Sequence, residues 1–214
     1  MNAGNQLILI RHSLPEIVEN VPALAWELSA EGRSRAVRLA ERLSQYQLEV
    51  IGSSMEPKAR ETAEILSKTL GVDIVVMDGL HEHKRSGVSY RSQEEFRSLV
   101  RGLFETPDKL IFGNETAAQA LERFKESVEL LMEMYDGKRM AIVAHGTVIS
   151  LFTAWLTGVD GYLFWKDLGL PSFILLDLQN KNGSPVINGK EPNHEGHKVH
   201  KGGKATDFTS IFPS

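Results

Sequence analysis

The sequence predicts an α/β domain, a three-layer sandwich in which a largely parallel central sheet carries helices on both faces. Two observations point there. Short apolar runs rich in β-branched residues recur along the chain, and between them lie longer segments whose apolar residues return every three or four positions. Strands that alternate with helices pair in parallel, because each parallel crossover lays a helix on a sheet face.

The elements follow in order. Leu7-Ile8-Leu9-Ile10 is too short for a helix and reads as a strand buried on both faces. Ala36, Ala40 and Leu43 mark one face of a helix over about 30–46. Val50-Ile51 is the next strand, and Ala59, Ala63, Leu66 and Leu70 define the helix after it. Ile74 to Met77 is a third apolar run. A helix over about 115–135 has the cleanest stripe, Ala117, Leu121, Phe124, Val128, Leu131 and Tyr135. Met140 to Ala144 forms another strand, VISLFTAWL resumes a helical run, and Phe173 to Leu176 is the last strand of the core. After about residue 180 the chain becomes rich in Gly, Asn and Lys, which predicts a hairpin and then a loose tail.

Composition narrows the function classes. With 214 residues, 42% of them hydrophobic, the chain is expected to form one domain over 1–214. A net charge of -4 with interspersed signs offers no basic field for nucleic acid or an anionic membrane. The absence of cysteine removes disulfides and thiol catalysis. No apolar run reaches the roughly 18 residues of a membrane span, and MNAGNQ lacks the features of a signal peptide. A cytoplasmic enzyme or binding domain, monomeric or homodimeric, is expected.

The strand ends carry the chemistry. In open α/β sheets the ligand crevice lies beyond the carboxyl ends of the strands, where Arg11-His12 falls. His145 repeats the arrangement on a strand-to-helix turn, close to backbone N–H groups that suit an anion. Ser53 to Pro57 supplies a helix start, with Arg60 one turn into the helix. A lone histidine after a strand is more often a hydrogen-bonded structural residue, and an arginine near a helix start is usually on the surface. The coincidence of basic groups from three segments at equivalent ends favours a phosphate or carboxylate site.

LILIRHS, WELSAEGRSRA, SSMEPKARETAEIL, GLHEHKR, NETAAQALERF and AIVAHGTVI, in that order from Leu7 to Leu178, resemble the motifs of the histidine phosphatase superfamily, the phosphoglycerate-mutase-like proteins. Ser13 stands where the commonest form has Gly, and Leu14-Pro15-Glu16 replaces the usual continuation; the family's Asn after the first motif has only Asn20 as a counterpart, and it is left out of the core site.

The resemblance implies a phosphomonoester hydrolase that works through phosphohistidine on a small phosphorylated metabolite. His12 would be the nucleophile, with its other ring nitrogen donating to a backbone carbonyl. Arg11, Arg60 and His145 would hold the phosphoryl oxygens, so that no metal or other cofactor is required. Glu82 would protonate the leaving alkoxide and then activate water, which demands a raised pKa beside the bound dianion. His83, Lys84, Arg85 and Arg91 fall on the natural lid and suggest a substrate with negative charge beyond its phosphate.

Other readings stand beside this one. Mutases of the family carry a Tyr-Gly pair and a long insertion after the acid glutamate; HKRSGVSYRSQEEF lacks the pair, which favours hydrolysis over mutase-type transfer. A phosphoprotein substrate, or a silent phospho-ligand binding domain, is also compatible. His81, His83, His194, His197 and His200 would be the ligands of a zinc hydrolase, although nothing around the last three predicts a framework to preorganise them.

Overall fold

The computed structural model describes residues 6–85, 92–178 and 186–188. The core strands are β1 (Gln6–Arg11), β2 (Val50–Ser53), β3 (Asp73–Val76), β4 (Met140–Ala144), β5 (Ser172–Asp177) and β6 (Val186–Asn188). The helices are α1 (Ala30–Leu43), α2 (Pro57–Leu70), α3 (Gln93–Glu105), α4 (Ala117–Met134), α5 (Gly146–Thr157) and α6 (Gly161–Asp167). The strands form one six-stranded sheet in the order β3-β2-β4-β1-β5-β6. β1 to β4 run parallel, β5 turns antiparallel to β1, and β6 pairs antiparallel with β5. The loose tail expected beyond β6 lies outside the described residues.

Alternation along the strands builds the three layers. Leu7 and Leu9 of β1 face the side covered by α4 and α5, where Phe124, Val128, Leu131, Val148 and Phe152 pack. Ile8 and Ile10 face the other side, against Leu39, Ala40 and Leu43 of α1 and Ala59, Ala63 and Leu66 of α2. The central strands are therefore apolar on both faces, while β3, at the edge, leaves Val76 exposed. Truncating a core side chain such as Leu131 to alanine would cost about 2–5 kcal/mol.

α3 and α6 lie outside the periodicity-based assignment. They pack together through Val100, Tyr162 and Trp165, a small apolar cluster joined by Phe96, Phe104 and Phe112. Phe96 and Phe112 of this cluster lie against the guanidinium of Arg85. At the carboxyl ends of β1, β2 and β4 the register aligns Arg11 with Ala144 and Ser53 with Val143, so the residues that follow all three strands emerge side by side.

Candidate active site

His12 follows β1 and is buried, its backbone N–H continuing the ladder to Ala144. Nδ1 lies 2.7 Å from the Ser13 carbonyl oxygen, which can only accept. The proton therefore resides on Nδ1, and Nε2 keeps its lone pair. Ser13 itself is fixed, its N–H donating to Thr62 Oγ1 and its hydroxyl to the Gly32 carbonyl. Burial, then the neighbouring His145 and the cations Lys58 and Arg11, hold the His12 pKa well below the usual value, so the ring is neutral.

His145, fully buried, caps α5, and its ring meets that of His12 edge-on at 5.1 Å between centroids. Its Nε2 lies 2.8 Å from Ser54 Oγ and 3.6 Å from Glu56 Oε1, while Nδ1 has no hydrogen-bond partner among the described residues. Burial and the charge of Lys58 push its pKa well below the histidine norm, against the pull of Glu82. Arg11 extends from the end of β1, donating from Nη1 to the Leu168 carbonyl at 2.7 Å; its Nε has no partner among the described residues. Gly146 allows this, since a Cβ there would sit 3.1 Å from Arg11 Nε. Burial, opposed by Glu82 and reinforced by Arg85, lowers the guanidinium pKa to about 10, still cationic at neutral pH.

Arg60 is not brought to this crevice. Its side chain is 60% exposed and pairs with Glu64 one turn along α2. Lys58 occupies the inward position instead: it is 5% exposed and donates from Nζ to the Ala23 carbonyl at 2.7 Å and to Glu56 Oε2 at 2.5 Å. Sequence reasoning missed both Lys58 and Glu56, which precedes the proline that opens α2 and turns its carboxylate into the crevice rather than capping the helix.

Glu82 completes the group. Oε1 accepts from its neighbour His83 N–H at 2.8 Å; Oε2 accepts from Thr147 N–H at 3.1 Å and lies 3.3 Å from Arg85 Nη2. The N-terminus of α5 thus meets the carboxylate of Glu82, an anion supplied by the chain itself. The Glu82 pKa lies below the usual carboxylate range. Burial pushes the value up, but Arg85, the neighbouring His145 and the two backbone N–H groups outweigh it and hold the carboxyl at about 2.

The loop bearing Glu82 is held from behind. Arg123 of α4 donates to the carbonyls of Gly79 and His81 and pairs with Glu115 at 2.6 Å, and Glu115 in turn accepts from Lys84 N–H. Gly113, at φ 79°, lies against the Lys84 carbonyl, where a Cβ would come within 2.1 Å. Of the proposed lid residues, His83 is buried with Nε2 2.8 Å from the Glu115 carbonyl oxygen. Lys84 is exposed, Arg85 reaches Thr147 Oγ1 at 2.7 Å and lies over the ring of Phe96, and Arg91 lies outside the described residues. Among the described residues no group of three or more His, Asp or Glu is arranged to hold a metal, and no helix is long and apolar enough to cross a membrane. His194, His197 and His200 lie outside them.

The sheet, with helices on both faces, carries buried His12, His145, Arg11 and Lys58 at or just beyond its strand ends. Residues 7–187 match the histidine phosphatase superfamily (branch 1), and the chain belongs to that family. A probable phosphoglycerate mutase, GpmB, of Salmonella paratyphi A is 28% identical over 143 residues, which span 63% of this chain and 65% of the relative. A mycobacterial glucosyl-3-phosphoglycerate phosphatase shares the fold with a TM-score of 0.66 at 22% identity, covering 80% of this chain and 89% of that one. A phosphoserine phosphatase of Entamoeba histolytica, in complex with 3-phosphoglyceric acid, gives 0.67 at 20% identity, over 86% and 94%.

Proposed function

We propose that the chain is a phosphomonoester hydrolase, and that His12 Nε2 attacks the phosphorus of a small phosphorylated metabolite. The observation that supports this most is the Nδ1 contact to the Ser13 carbonyl, which leaves a neutral imidazole with its lone pair on Nε2 beside His145. Arg11, Lys58 and His145 would hold the phosphoryl oxygens, with Lys58 taking the part expected of Arg60. Bond formation at Nε2 breaks the ester P–O bond, and Glu82 delivers a proton to the departing oxygen. Water then attacks phosphorus, the P–N bond breaks, and Glu82 takes the proton from the water. Protein cations supply the charge stabilisation in this scheme, so no metal is required of it.

Mutase-type transfer is the alternative, favoured by the resemblance to GpmB. Incubating the full chain with a panel of phosphomonoesters separates the two. Release of inorganic phosphate that disappears in His12→Ala supports hydrolysis; movement of the phosphoryl group within the substrate, without release, would replace it with transfer.

A further inference from the structure

A general acid must carry a proton when the ester bond breaks, yet each oxygen of Glu82 accepts a backbone N–H, and Arg85 adds an ion pair to Oε2 at 3.3 Å. The backbone groups of His83 and Thr147 cannot leave. The ion-paired side chain of Arg85 can. We propose that Arg85 sets the proton state of Glu82: it holds the carboxylate form at rest, and releases it for protonation when a second anionic group on the substrate draws the guanidinium away. This rests on Glu82 being the proton donor of the hydrolase.

The surroundings of Arg85 support an exchange of partners. Its guanidinium lies 5.0 Å from the Phe96 ring centroid and 5.7 Å from that of Phe112, so the two rings hold the cation beside the carboxylate without tying up its N–H groups. Nη2 is shared between Thr147 Oγ1 and Glu82 Oε2, and Nε is buried with no partner among the described residues. The side chain retains 18% exposure, so a ligand in the crevice can reach it.

The other groups facing Glu82 do not substitute for Arg85. Arg11 is tied to Leu168, and His145 is fully buried with Nε2 held at Ser54 Oγ. Glu56 accepts the Glu82 backbone N–H and is itself paired with Lys58, and Arg123 binds carbonyls and Glu115. Loss of Arg85 from Oε2, added to the effect of the anionic phosphoryl group beside the carboxyl, therefore raises the fraction that takes a proton from solvent before passing it to the leaving oxygen. The ligand class that can cause it is a phosphomonoester bearing a carboxylate or another anion beyond the phosphate.

The test is a carbon-13 titration of the Glu82 carboxyl in the full chain, assigned by its absence in Glu82→Gln. Arg85→Met keeps an apolar stem for the two phenylalanines, and its Glu82 midpoint should rise by about one to two pH units. Arg85→Lys, which keeps the charge without the bridging geometry, should fall between. Two non-hydrolysable probes then test release: in the wild type, phosphonoacetate should raise the midpoint about one unit more than methylphosphonate. That difference should vanish in Arg85→Met. An unchanged midpoint in both Arg85 variants, or equal shifts with the two probes, overturns the proposal. Hydrolysis retained by His12→Ala would sink the phosphohistidine mechanism without altering these titrations, so the two failures are distinguishable.

Discussion

Replacing Lys58 with methionine removes a cation held 2.5 Å from Glu56 in a crevice that also contains His12 and His145. Two losses follow. Breaking a buried ion pair strands the remaining charge, which costs about 3–5 kcal/mol of stability. Removing a donor aimed at developing negative charge costs about a hundred- to thousandfold in kcat, or about 2.7–4 kcal/mol. Arg60→Ala is the control: its pair with Glu64 is on the surface, where such pairs contribute about 0.3–0.5 kcal/mol, and activity should stay within about twofold. Steady-state hydrolysis of para-nitrophenyl phosphate and urea unfolding, run on both variants, give the two readouts. Pairing Lys58→Met with Glu56→Leu should recover stability and not activity, because the stranded carboxylate is gone but the phosphoryl donor is still missing. A hundredfold loss in Arg60→Ala with near-normal turnover in Lys58→Met would refute the assignment.

Stability should fall as pH drops from about 7 to 5, before most carboxylates titrate. His12 and His145 have folded pKa values well below the usual 6.5, so in this window the unfolded chain binds more protons. Each histidine contributes a slope of up to about 1.4 kcal/mol per pH unit, and urea midpoints should flatten in His145→Asn. Glu82, held at about 2, adds a stabilisation present above its unfolded value and lost between about pH 5 and 2. Arg123→Met should lower kcat about ten- to a hundredfold, with a smaller change in KM, because it loosens the carbonyls that place Glu82. Activity should survive treatment with EDTA and fall with vanadate; loss on chelation that zinc restores would move the chemistry to a metal.

The sheet was legible because its strands are apolar on both faces, and the α4 stripe because six residues repeat its period. α3 was not read, although Ser92 and Glu95 form a capping box ahead of Phe96, Val100 and Leu103; its short apolar face packs on α6, which local periodicity does not show. The Arg60 error has a simple geometric source. At about 100° per residue, Lys58 and Arg60 lie equally far to either side of Ala59 and its stripe, so the period alone cannot choose between them. Only the packing of α2 on the sheet turns Lys58 inward. Glu56 was hidden for a related reason, since an acid at a helix start ordinarily complements the dipole and needs no other role.

The central claim is that His12 carries the phosphoryl group. Rapid quenching at alkaline pH during turnover of a phosphorus-32-labelled substrate, followed by proteolysis and mass spectrometry, addresses it directly. The account predicts an acid-labile, alkali-stable phosphoryl group on the peptide containing Leu7 to Glu16, formed no more slowly than kcat and absent from His12→Ala. Undiminished turnover in His12→Ala, or label found only on a carboxylate or serine peptide, would contradict it.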